Sequence, residues 1–150
     1  LDERVERLEQ RILVIHRNHP ICLRLATIPG IGPLTATAVT MAVGDPNEFK
    51  NGRELSAWFG LVPRQHSSGG KERLLGISKR GDVYLRKLLI HGARTVVQWN
   101  SRQPPNRQSL WLKSLIERRG MNRATVALAN KNARRIWVLM TREVEYDSAA

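Results

Sequence analysis

Apolar residues alternate with charged ones at spacings of four and three along the first segment of the chain. The stripe consists of Leu1, Val5, Leu8, Ile12 and Ile15. This spacing is typical of a coiled-coil seam, and Pro20 predicts that the helix ends before it. Because the stripe covers little more than about two heptads, residues 1–19 are predicted to be the distal end of a coiled coil or one arm of an antiparallel helical hairpin that needs a partner.

Helical periodicity continues after Pro20, interrupted by turns rich in glycine and proline. The pattern predicts helices over residues 21–27, 34–43, 52–59, 83–100, 107–119 and 121–142. Asp82 is the expected N-cap of the fourth of these, whose buried face is predicted to hold Leu85, Leu88, Leu89, Ala93 and Val96. A mainly α-helical domain over residues 20–142 follows, with an acidic tail at residues 143–150.

Residues 60–81 break the helical pattern, with five glycines, one proline and no 3.6-residue period. They predict a loop or a short β-hairpin, with strands at 61–66 and 73–77 around Ser67 and Ser68. Four tryptophans, Trp58, Trp99, Trp111 and Trp137, lie in predicted helices. Core packing is expected for them, with stacking on nucleic-acid bases as the alternative.

The positive charge is concentrated in one part of the chain. The net charge is +12, and residues 63–142 hold 18 Lys and Arg against Glu72, Asp82 and Glu117. Residues 1–18 and 19–62 are each neutral, and Glu143, Glu145 and Asp147 follow the basic stretch. A dense positive field favours a polyanion, so the basic stretch is predicted to bind nucleic acid through its phosphates. A membrane-surface helix fits less well, because the basic residues are distributed over several elements.

Other features narrow the class of protein. No apolar run approaches the roughly 20 residues of a membrane-spanning helix. Cys22 is the single cysteine, which rules out an internal disulfide and fits a reducing, cytoplasmic compartment. The four histidines are scattered, so no metal site is expected in this chain. The sequence opens at Leu1 inside a helical pattern, and we interpret it as a fragment of a longer protein.

Two segments suggest phosphate chemistry. Gly30 and Gly32 lie in an Ile-Pro-Gly-Ile-Gly turn between two predicted helices, which has the form of a helix-hairpin-helix. Such glycines let backbone N–H groups approach a phosphate, or they serve only to make a tight turn. In the second segment Ser67 and Ser68 precede two glycines, among cations suited to phosphoryl transfer. These cations are Lys71, Arg73, Lys79, Arg80 and Arg86.

Three stretches resemble the C-terminal domain of a family of bacterial transposases, the insertion-sequence one-ten family. They are IPGIGPLTA from residue 28, the segment 49–93, and ATVALANKNARRIWVLM from residue 124. The family motifs correspond here to residues 29–32, 60–63, 68–70, 77–81 and 85–86, and the resemblance covers roughly residues 20–142. In this family a serine works with the acidic DEDD residues of a RuvC-like nuclease domain.

The resemblance implies that Ser68 attacks a DNA phosphodiester and forms a transient phosphoserine link. Ser67 is the alternative nucleophile if the alignment is displaced by one residue. His66, two positions before Ser68, is a candidate base or an ordinary solvent-facing histidine. Arg86 would contact the scissile phosphate or anchor the loop.

The resemblance also implies Mg²⁺ held by an N-terminal nuclease domain, a guide RNA, and a dimer or tetramer in a bacterial, nucleoid-associated setting. The family's magnesium-binding acids have no counterpart here, so the fragment alone is expected to be inactive. The competing hypothesis is a non-catalytic helix-hairpin-helix module that binds DNA or mediates oligomerisation within a larger DNA-processing enzyme.

Overall fold

A computed structural model of the chain describes residues 2–68, 71–77 and 81–148, and gives only the backbone of the two strands within residues 63–77. Seven helices are present in these ranges: α1 (Asp2–Asn18), α2 (Pro20–Leu25), α3 (Pro33–Val43), α4 (Gly52–Trp58), α5 (Val83–Trp99), α6 (Arg107–Arg119) and α7 (Met121–Arg142). Short 3-10 turns lie at Pro46–Glu48 and Asn100–Arg102. Between α4 and α5 an antiparallel hairpin pairs β1 (Pro63–Ser68) with β2 (Lys71–Ile77). The mainly α-helical class is therefore confirmed.

Helix α7 forms the centre of the core. Its buried positions recur at spacings of three and four, as expected for a helix with one face against a core. They include Ala124, Leu128, Ala129, Ala133, Ile136, Leu139 and Met140. This face packs against α2, α4, α5 and α6. Burial of each large apolar side chain contributes roughly 1.5–3 kcal/mol, so α7 holds the other helices together.

Helix α3 uses small residues to pack closely on its neighbours. Ala36 and Val39 are fully buried, and α3 contacts α1, α2 and α5. Cys22 on α2 is also fully buried, with its Sγ 4.0 Å from the carbonyl oxygen of Ala36. The sequence-based expectation of a small buried cysteine agrees with this environment.

Helix α5 begins where predicted, but its buried face is rotated. The Oδ1 atom of Asp82 accepts a hydrogen bond from the Leu85 N–H at 2.9 Å, which satisfies one free donor of the first turn. The buried residues are Leu85, Arg86, Leu89, Ala93 and Val97. Leu88 and Val96, which were expected on this face, are only half-buried. The fully buried apolar residues instead recur every four positions from Leu85 to Val97.

The expectation that all four tryptophans lie in the core is wrong for two of them. Trp58 is 39% exposed and Trp99 is 49% exposed. Leu55 and Phe59 fill the core side of α4, which turns Trp58 outward against the rings of Phe49 and Phe59. The other two are half-buried, and Trp137 Nε1 donates to the carbonyl oxygens of Pro46 and Phe49.

Within the described ranges, no helix combines the length and the apolar character that crossing a membrane requires.

Helix α1 packs on α2 and α3 and leaves most of its apolar stripe uncovered. His16 near its end is buried, whereas Val5, Leu8 and Ile15 are each more than two-fifths exposed. An exposed apolar stripe on an otherwise charged helix is typical of an association surface.

Replacing Leu8 by Lys tests this surface. A charged side chain in the seam would oppose burial against a partner helix, so self-association is expected to weaken at least about tenfold. Gln10→Lys is the matched control, because Gln10 is an exposed polar residue of the same helix. Sedimentation over a wide concentration range gives the readout, and identical monomeric behaviour of wild type and Leu8→Lys would contradict the prediction.

Candidate functional site: the serine hairpin and the basic helices

The two predicted serines lie at the end of strand β1. The backbone register pairs Ser68 with Lys71, Ser67 with Glu72 and His66 with Arg73. Pairing thus extends two residues further along β1 than the predicted 61–66, since continued pairing satisfies backbone donors and acceptors. Strand β2 likewise begins at Lys71 instead of 73. The backbone therefore brings His66, Ser67, Ser68, Lys71 and Arg73 into one end of the hairpin.

The side-chain roles assigned to these five residues stay predictions, because the structure gives their backbone alone. Lys79 and Arg80, which were also predicted to bind nucleic acid, lie outside the described residues, as do Gly69 and Gly70.

The base of the hairpin is anchored to α4 and α7. Leu61 is fully buried, and its N–H donates to the carbonyl oxygen of Ser56 at 3.1 Å. Asn130 of α7 bridges the two elements: its Oδ1 accepts from Ser56 Oγ at 2.8 Å, and its Nδ2 donates to the Leu61 carbonyl oxygen at 3.2 Å. This bridge was not predicted, because the sequence gives no signal that connects residue 130 with residues 56 and 61.

Gly81, which precedes α5, contacts the end of α4. A Cβ atom there would lie 2.1 Å from the Trp58 carbonyl oxygen, and the φ angle is +111°. Both facts exclude a larger residue without rearrangement. The chain is therefore held against the end of α4 immediately before Asp82 starts α5.

Arg86 lies in the first turn of α5, close in sequence to this base. It is 9% exposed, and among the described residues its buried Nη1 has no hydrogen-bond partner. A buried guanidinium nitrogen is costly to leave without a hydrogen-bond acceptor. Phosphate contact and loop anchoring, the two roles considered from sequence, would each supply an acceptor, and both stay predictions.

The Pro-Gly-Ile-Gly turn between α2 and α3 packs against α5. The Nδ2 of Asn132 donates to the Pro29 carbonyl oxygen at 3.2 Å, and Gly30 has a φ of +95°. A Cβ atom on Gly92 of α5 would lie 1.9 Å from the Gly30 carbonyl oxygen. Gly30 thus has a packing role. Gly32 is exposed, has open space around it and precedes α3, so its N–H remains a candidate for a phosphate contact.

The basic residues of α5, α6 and α7 lie mainly on the outer surface. The exposed ones include Lys87, Arg94, Arg107, Lys113, Arg118, Arg119, Arg123, Arg134 and Arg142. Lys131 and Arg135 are half-buried. Burial lowers the pKa of Lys131, and the positive charges of Arg135, Arg134 and Arg107 lower it further. The apolar face of α7 is turned to the core, so these cations form a positive outer surface.

The acidic residues do not assemble a metal site in the part of the chain that the structure describes: no three His, Cys, Asp or Glu side chains lie close enough to hold an ion. Asp82 caps α5 and Asp45 accepts from the Asn47 N–H. The described residues therefore do not fit Mg²⁺, and we derive no step through it.

Comparison with known proteins gives the family. A sequence model of the transposase IS116/IS110/IS902 family matches residues 22–107. The transposase for insertion sequence element IS1111A of Coxiella burnetii is 54% identical over 99% of this chain and 41% of its own length. A probable family 20 transposase of Pseudomonas aeruginosa is 51% identical over 97% of this chain and 43% of its own length.

The chain belongs to the IS116/IS110/IS902 family of transposases. The resemblance inferred from the sequence motifs is thereby confirmed. A pilin gene-inverting protein of Moraxella bovis is also similar, with 41% identity over 48% of this chain and 22% of its own length. Nearly the whole of this chain aligns with the Coxiella and Pseudomonas transposases, but it spans only about two-fifths of the length of each.

The contact between Gly30 and Gly92 gives a test of how the family's Pro-Gly-Ile-Gly turn is held. Gly→Ala inside a helix is normally favourable by about 1 kcal/mol. Here the new Cβ would meet a backbone oxygen that no side-chain rotation can move, so Gly92→Ala is expected to destabilise the protein by about 1–3 kcal/mol. Gly32→Ser, in open space before α3, is the control and should cost nothing measurable. Chemical denaturation measures both, and a stabilised Gly92→Ala variant would contradict the observed packing.

Proposed function

We propose that this chain is the serine-bearing, DNA-binding part of an insertion-sequence transposase and takes part in DNA strand exchange. The observation that carries the proposal is the hairpin, in a member of a transposase family. Ser68 ends strand β1 and pairs with Lys71 across the hairpin. The start of this strand is fixed to α4 and α7 by the Asn130 bridge. The printed names of the relatives, which include transposases and a protein that inverts a gene, support DNA as the substrate.

The proposed reaction is a transesterification. Ser68 Oγ attacks the phosphorus of a DNA phosphodiester and loses its proton to a base, for which His66 is the candidate. The bond from phosphorus to a deoxyribose oxygen breaks, and that oxygen leaves as a hydroxyl after it gains a proton. The DNA phosphate is then held as a serine ester at its 5′ or 3′ end. A hydroxyl of another strand attacks this ester, restores the phosphodiester and releases the serine.

The chain's cations would stabilise the negative charge that grows on the phosphate oxygens. Lys71 and Arg73 are close in sequence and register to Ser68, and Arg86 has a buried Nη1 that no described residue satisfies. We also propose, from the family resemblance, a guide RNA, Mg²⁺ bound elsewhere in the protein, and a homodimer or tetramer assembled through α1.

Salt dependence tests DNA binding by the basic stretch. Lys and Arg contacts to phosphates release counterions, so the affinity for duplex DNA is expected to fall steeply between roughly 50 and 200 mM salt and to depend little on sequence. Fluorescence anisotropy with two unrelated duplexes gives both quantities. Affinity that is constant across this range, or no binding at low salt, would rule the hypothesis out.

Substitution of the serine tests the chemistry in the full-length protein. Ser68→Ala is expected to reduce strand exchange and the covalent protein–DNA adduct to background, because no other group in the proposal supplies the nucleophilic oxygen. Unfolding free energy should change by no more than about 0.5 kcal/mol. DNA affinity should be unchanged.

Ser67→Ala is the matched control and should retain most of the activity. If Ser67→Ala is inactive and Ser68→Ala is active, the nucleophile is Ser67. If both variants form the adduct, serine catalysis is wrong and the non-catalytic DNA-binding module is the better account.

A further inference from the structure

A cleft of about 730 Å³ opens between α6, α7 and the segment that follows α7, residues 143–148. This volume lies within the range of about 300–1,000 Å³ typical of ligand sites. Four cationic side chains, from Arg107, Lys131, Arg134 and Arg135, line it together with Trp111 and Tyr146. The cleft is built from other elements than the serine hairpin, so it is separate from that candidate site.

The two half-buried cations of the cleft interact with uncharged groups. Lys131 Nζ lies 4.2 Å from the centre of the Trp111 ring. Arg135 Nη1 donates to Gln108 Oε1 and to Asn132 Oδ1, both neutral amide oxygens, at 2.5 and 3.0 Å. These contacts orient the two side chains without neutralising their charge. Burial lowers the pKa of Lys131, and the neighbouring positive charges lower it further.

An acidic segment of the chain itself forms the opposite wall. After α7, Glu143 takes a left-handed conformation with φ 53° and ψ 39°, and the backbone turns away from the helix axis. Glu145 and Asp147 then line the cleft. Tyr146 attaches the segment: its N–H donates to Thr27 Oγ1 at 3.0 Å, and its ring lies 4.9 Å from the Arg135 guanidinium carbon. The flanking residues of the segment are exposed.

We propose that this cleft binds the phosphates of a nucleic-acid strand, and that the acidic segment 143–148 competes with that strand for it. The inference rests on the proposed nucleic-acid function. Four cations from two helices line this one cleft, and Arg134 among them is exposed. A repeating polyanion gains from several neighbouring cations, whereas a single small anion does not. Carboxylates of the segment have the same sign of charge as phosphates, so both cannot occupy the cleft without repulsion.

The first test removes two cleft cations in the double variant Lys131→Gln/Arg134→Gln of the full-length protein. The probes are a labelled 20-nucleotide single-stranded DNA and an RNA of the same sequence, with affinity measured by anisotropy at several salt concentrations. We expect about tenfold weaker binding, and a slope of log affinity against log salt that is less steep by about 1.4, because each lost contact removes about 0.7 for a single strand. Equal loss with both probes means that the shared phosphates are recognised, and loss with one probe identifies that strand as the ligand.

The control removes the same charge from the same two helices outside the cleft, in Lys113→Gln/Arg123→Gln. If the control pair weakens binding of each probe as much as the cleft pair, the cleft has no special role and the inference is wrong. Thermal unfolding of both double variants verifies that they are folded. A cleft pair that binds like wild type while Lys71→Gln/Arg73→Gln loses DNA binding would overturn this inference and leave the proposed hairpin function intact.

The second test examines the competition. Glu145→Gln removes a carboxylate from the cleft wall, whereas Glu143→Gln removes the same charge from an exposed residue outside the lining. We expect Glu145→Gln to raise affinity about threefold and Glu143→Gln to raise it clearly less, since only the first relieves repulsion inside the cleft. Equal effects of the two variants would show that only net charge matters and would overturn the competition.

Discussion

The hydrogen bonds of Asn130 connect the core of the domain to its candidate chemistry. One amide side chain on α7 accepts from Ser56 of α4 and donates to Leu61, where the chain leaves the core for β1. Ser56 is fully buried, so loss of this partner would leave its hydroxyl unsatisfied at a cost of about 1–3 kcal/mol. On the return side Gly81 allows the backbone to touch the carbonyl oxygen of Trp58. Asn130 thus fixes the point where the chain enters the hairpin, and Gly81 fixes the chain against α4 just before α5.

The same helices that build the core also bear the charge. On α7 the apolar positions face inward, and Arg123, Lys131, Arg134 and Arg135 lie on the outer side or at its border. Like charges this close repel one another, which opposes the compact state. Apolar burial outweighs that repulsion in the folded chain, and a bound polyanion would remove it. The proposed binding of nucleic acid would therefore stabilise the fold through the same helix.

Much of the fold follows from local signals in the sequence. The Asp82 cap, the helix ends near Pro20 and Gly120, and the interruption at residues 60–81 are marked by residues that act on their own backbone. The orientation of Trp58 and Trp99 could not be predicted, because periodicity gives the repeat of a helix face but not how neighbouring helices rotate it.

The Asn130 bridge and the α6–α7 cleft could not be predicted from the sequence, because both depend on contacts between residues far apart in the chain. Asn130 contacts residues about 70 positions away, and the cleft brings Arg107 near Tyr146. The spacing of four between Lys131 and Arg135 is the one local hint of the cleft.

The serine itself is placed by a different physical rule from the helices. A two-stranded hairpin is at best marginally stable alone in water, so it depends on what holds its base. Here a buried leucine and an amide bridge hold the chain where it enters β1, and both lie away from the end that bears Ser68. The position of the hairpin is thus held by contacts other than those of Ser68. Of the motif segments that carry the family resemblance, residues 60–63 lie at this entry and Ser68 lies at the far end.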